Sequence, residues 1–180
     1  MKKKPFLFSF FMLLSGILFA ATAVAQGAKP KASPPATSTG KIGNATITVN
    51  YSSPAVKERQ IWGGLVPYGK VWRAGANEAT TLETDQDLTV EGKLLPAGKY
   101  SIFAIPGEDQ WTVIFNKQTG QWGTRYDESE DFLRVTAKPV KSKSFNERLA
   151  YEVTPKGLVL RWENLEVPVR MSAKKAKSKA

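Results

Sequence analysis

The sequence predicts an all-β, single-domain antiparallel β-sandwich, barrel-like in form, with one or two short helical turns. Three observations carry this. Apolar residues recur at every second position in a series of short runs, turn sequences separate those runs, and no segment keeps a helical apolar period long enough to form a layer.

The first run is 45–51, where alternation places Ile47, Val49 and Tyr51 on one face of a strand. The same period marks 88–91, 100–105, 111–115, 133–136, 149–153 and 158–162. Between them lie Glu91-Gly92-Lys93, Pro96-Ala97-Gly98, Pro106-Gly107-Glu108-Asp109, the polar stretch 116–123 and Thr154-Pro155-Lys156-Gly157, all rich in turn-forming residues. Short strands joined by tight turns specify antiparallel pairing. Segments 68–79 and 127–133 are long enough for a helical turn each, but neither is long enough for a helical layer.

Outside this pattern the chain divides by composition. Lys2, Lys3 and Lys4 precede an apolar run over 6–21, and Ala23-Val24-Ala25 supplies the small residues of a signal-peptidase site, so 1–25 is expected to be a cleaved secretory signal. The apolar run is shorter than the ~20 residues that span a bilayer, and no transmembrane segment is expected in the mature protein. With no cysteine, acylated lipoprotein anchors, disulfides and thiolate metal sites are closed. A periplasmic or secreted protein is expected. Residues 26–40, rich in Pro, Ala, Ser and Thr, are expected to be a disordered linker, 41–171 the sandwich domain and 172–180 a basic disordered tail.

The formal charge of +10 resides mainly in those flanks, because 41–171 holds 17 basic against 16 acidic residues. A near-neutral domain with a short basic tail gives no footing for a nucleic-acid partner. The chain has no histidine, which excludes Ser-His-Asp and Cys-His catalysis and histidine-ligated metals. Without a phosphate-cradling glycine motif either, neither a cofactor nor a metal is expected. Carboxylate chemistry, calcium binding through oxygen ligands and plain recognition remain.

The segments YSSP (51–54), IWGGLVPYGKVWRAGANEATTLE (61–83), LPAGKYSIFAIPGEDQWTVIFN (94–116) and QWGTRYDESEDFLRV (121–135) stand in that order. They resemble the bacterial family known as domain of unknown function 2911 over nearly all of 42–170. The resemblance implies a small secreted protein and carries no established activity.

The glycine-rich 61–83 stretch concentrates functional side chains on what reads as a loop, where binding residues gather on rigid scaffolds. Arg73, Asn77 and Glu78 are candidate ligand contacts, since a guanidinium fork beside an amide and a carboxylate suits a polar ligand. The competing expectation is an internal Arg73–Glu78 salt bridge that fixes the loop. Trp62, Tyr68, Trp72 and Trp122 are candidate aromatic walls for a glycan or small polar ligand, whereas Trp111, inside an alternation, is expected in the core. The acidic run 126–131 lacks EF-hand order, and Asp127 is expected to cap a helical turn in a capping box with Glu130. If the protein is an enzyme, Glu78 and Asp127 are the carboxyl pair that a glycosidase-like hydrolase would use. A third expectation is an interaction module for an envelope protein.

Overall fold

The computed structural model describes residues 31–173. The expected signal sequence, residues 26–30 of the expected linker and residues 174–180 of the basic tail lie outside the described residues.

Ten strands, in chain order, are β1 (Pro35–Ile42), β2 (Ala45–Ser52), β3 (Thr80–Thr84), β4 (Leu88–Val90), β5 (Lys93–Leu95), β6 (Gly98–Ile105), β7 (Trp111–Asn116), β8 (Asp131–Ala137), β9 (Val140–Thr154) and β10 (Gly157–Ala173). They form a six-stranded sheet in the order β1-β2-β3-β6-β7-β8 and a four-stranded sheet in the order β5-β4-β10-β9. Every pairing is antiparallel. The result is the expected all-β sandwich, with two open sheets in place of a closed barrel.

Alternation fills the space between the sheets. Ile47 and Val49 of β2, Leu82 of β3, Ile102 and Ala104 of β6, and Trp111, Val113 and Phe115 of β7 face Leu149 and Tyr151 of β9 and the inward residues of β10. The intervening Phe103 and Ile114 turn to the other face of the six-stranded sheet. There they meet Ala79 and the half-buried Tyr126, whose ring centroid stands 4.8 Å from that of Phe103.

In β10 the inward positions change parity. Leu158, Leu160 and Trp162 are buried in its first half, and Val167, Val169 and Met171 in its second. Register shifts on either side of Glu163, whose φ is 53°, supply the odd residue that this switch requires. Pro168 falls between the last β9 partner, at Glu166, and the first β4 partner, at Met171, where its missing N–H breaks no rung.

Two expectations are corrected. Residues 35–40, read as linker, form most of β1, which pairs with β2 along its whole length. Thr37 and Thr39 bond Asn50 and Thr48 across that ladder, so hydroxyls and backbone replace apolar contacts there. The helical turn expected within 68–79 does not form. The other expected one is a 3-10 turn at Glu128–Glu130, capped by Asp127, which accepts from the Ser129 N–H at 2.9 Å. No Glu130 side-chain bond closes a capping box among the described residues. Among those residues no helix is long and apolar enough to cross a membrane.

Candidate functional site: a two-arginine cleft

The loop between β2 and β3 is fixed by carbonyls and hydroxyls in place of a ladder. Ala74 and Asn77 both adopt left-handed backbone, with φ of 50° and 57°. Asparagine tolerates that region, while alanine requires compensation. At Ala74 it comes through the carbonyl, which accepts the hydroxyls of Tyr151 at 2.7 Å and Thr80 at 3.0 Å. Burial pushes the Tyr151 hydroxyl well above its ordinary pKa, keeping it a proton donor. Between them, Gly75 leaves no room for a side chain, since a Cβ would meet Thr80 Oγ1 at 2.7 Å.

Asn77 anchors the far end. Its side-chain amide donates to the Ser33 carbonyl and to Ser52 Oγ, both at 3.1 Å. Its backbone carbonyl accepts the Gly123 N–H at 3.0 Å and Arg73 Nη1 at 3.0 Å. Asn77 therefore organises the loop, and only its Oδ1 remains for a ligand.

Arg73, Asn77 and Trp72 line a cleft of about 280 Å³ with Arg59, Leu65, Val66 and Trp162. No carboxylate lines it among the described residues. Arg59 is steered in by backbone, with Nε on the Val56 carbonyl at 3.0 Å and Nη2 on the Ala55 carbonyl at 2.6 Å. Beneath the cleft four tryptophans interlock. Trp72 and Trp162 lie nearly parallel with centroids 5.9 Å apart, and the rings of Trp62 and Trp111 meet them at steep angles. The indole N–H groups of Trp62, Trp111 and Trp162 have no partner among the described residues.

The sequence-nominated residues separate in space. Trp62 is buried in the tetrad and is part of the core, not of a binding wall. Tyr68, 38% exposed, stands over Gly63 outside the cleft lining. Trp122, 46% exposed, is likewise outside it, on the segment whose backbone bridges Glu78. The expected Arg73–Glu78 salt bridge is absent: Glu78 pairs with Lys31 at 2.7 Å and lines a different cleft, with Tyr51, Asn50 and Thr81. Alignment of Arg73 on the Asn77 carbonyl leaves it no carboxylate partner among the described residues. Arg59 and Trp162 were not nominated, because they come from separate segments and no spacing in the sequence links them to Arg73.

Neither carboxyl of the hydrolase pair suits proton donation. The Lys31 ammonium and its own backbone N–H hold Glu78 below the ordinary carboxylate range, and the Ser129 hydroxyl and N–H do the same to Asp127. A general acid needs the opposite shift. Among the described residues no group of acidic side chains is placed to hold a metal ion.

Fold and site together define a two-sheet β-sandwich with a carboxylate-free arginine cleft set against a tryptophan tetrad. The chain belongs to the family described as Protein of unknown function (DUF2911), whose model matches residues 33–171. Comparison with curated proteins and with solved structures gives no match.

Proposed function

We propose that this protein is a secreted or periplasmic binding protein that holds a small polar molecule in the cleft beside Arg73. The supporting observation is the lining itself. It joins apolar and aromatic walls, Leu65, Val66 and Trp72, to a few convergent polar groups, Arg59, Arg73 and Asn77, which is the composition of small-ligand sites. Export rests on the Lys-rich, apolar and Ala-rich order of residues 1–25.

A thermal-shift screen against mono- and disaccharides, muropeptides and short peptides tests the reading. A ligand at one hundred times its Kd adds about 2.7 kcal/mol, which raises the midpoint of a domain this size by roughly 4–8 °C. Arg73→Gln is expected to abolish the response while the variant stays folded. A response that survives both Arg73→Gln and Trp72→Ala locates binding elsewhere and ends this reading.

A second reading, contact with an envelope protein, draws on Leu65, Tyr68 and Val71, which the same loop exposes to solvent at 47%, 38% and 40%. It predicts that Tyr68→Ser with Val71→Ser, both outside the cleft lining, weakens a stoichiometric partner without altering small-molecule responses.

A further inference from the structure

We infer that the cleft selects anions, its ligand being a small molecule that carries a carboxylate or phosphate group on a ring or apolar body. This rests on the binding reading above and narrows it. Both cations that line the cleft are arginines, which stay charged at any physiological pH. Glu58, adjacent to Arg59 in sequence, lies outside the cleft lining and pairs with neither arginine, and Glu78, the acid nearest to Arg73, is engaged by Lys31 and lines another cleft. Two guanidiniums that share a cavity without a counter-ion raise its potential, and low-dielectric walls such as Trp72 and Trp162 focus that field.

Geometry adds to charge. Each guanidinium is held on one side by backbone carbonyls, so its orientation is set before any ligand arrives. Arg59 uses two of its five N–H groups on Ala55 and Val56, and Arg73 uses one on Asn77. The remaining donors have no acceptor among the described residues. Forks arranged in this way match the paired oxygens of a carboxylate or phosphate, and the bonds they form are charge-assisted. Asn77 cannot compete for the anion, because both hydrogens of its amide are engaged by Ser33 and Ser52. A volume of about 280 Å³ accommodates one ring and its charged substituent.

Four probes that share one ring separate charge from shape: glucose, glucuronate, glucose 6-phosphate and glucosamine, each titrated at constant ionic strength. Readouts are the thermal midpoint and the Nε–H resonances of Arg59 and Arg73 in the wild-type protein, so the test does not depend on any variant folding. Glucuronate, glucose 6-phosphate or both are expected to raise the midpoint and move both arginine signals, with glucose and glucosamine silent. The stronger of the two acids identifies the anionic group. Arg73→Gln and Arg59→Gln should each weaken the response about tenfold, and Arg73→Lys should restore part of it. If glucose acts as strongly as the acids, selection for anions is overturned while the binding reading stands. If neither acid moves the midpoint or the arginine signals, anion selection is overturned, and the wider ligand screen decides the binding reading separately.

Discussion

The stem of Arg73 lies across Gly123. A Cβ at residue 123 would come within 2.4 Å of Arg73 Cδ and 2.8 Å of the Asn77 carbonyl oxygen, so only glycine lets the two loops meet. The Gly123 N–H donates to that same carbonyl, which also holds the guanidinium. Gly123, distant in sequence, is thus fixed as a unit with the neighbouring Arg73 and Asn77.

Gly123→Ala is expected to displace Arg73 and to destabilise the domain by about 1–3 kcal/mol, the usual effect of overpacking a tight contact. Chemical denaturation measures the stability change. Ligand titration should then show a weakened cleft in the fraction that remains folded.

Tyr151→Phe removes one of the two hydroxyls that hold the Ala74 carbonyl and is expected to cost about 1 kcal/mol. Thr80→Val removes the other. Because both act on one strained residue, the double variant should lose more than the sum of the singles, which a double-mutant cycle reads directly.

Alkaline titration should reveal Tyr126. Burial and its bond to Asp131 push its hydroxyl up to about 12, above the ordinary tyrosine value. From pH ~10 upward the unfolded chain loses this proton while the folded one keeps it, so stability falls as pH rises from ~10 through about 12. Tyr126→Phe is expected to flatten that decline, with absorbance at the phenolate band as the check.

Glu78 has the opposite sign. Its folded pKa is lowered by Lys31, so its contribution is present above the ordinary carboxylate value and is lost as pH falls through the folded one. Lys31→Ala should return Glu78 toward its ordinary titration, followed by carboxyl carbon NMR. Glu78→Gln is expected to leave both the fold and binding in the arginine cleft unchanged.

Period-two alternation made β2, β4, β6, β7, β8, β9 and β10 legible, though the last two run longer than their apolar cores. The strands it missed, β1, β3 and β5, each turn only one large apolar side chain inward, Ile42, Leu82 and Leu95, too few for an alternation to show. β1 is Pro-Ala-Thr-Ser-Thr-Gly-Lys before its single isoleucine, and β3 turns Thr80, Leu82 and Thr84 inward, so hydroxyls stand where an apolar signal would be. The site was half legible. Arg73 and Asn77 were visible as polar groups in a glycine-rich loop, but Glu78, adjacent in sequence, is separated from them by the left-handed backbone at Asn77. Gly123, which the sequence does not single out, packs against Arg73, whereas Trp122 beside it stands outside the cleft lining.

β10 has an implication for when the domain can fold. It is the one strand joining β9 to the β4–β5 hairpin, and its bulge lets a single chain segment serve both partners in turn. Until residues 157–173 are available, β9 and the β4–β5 hairpin have no strand to join them and the inner face of the other sheet lacks the cover of Leu158, Leu160, Trp162, Val167, Val169 and Met171. A chain exported before it folds would carry its own delay: of the described strands, the one that commits it to the native state is the last to arrive.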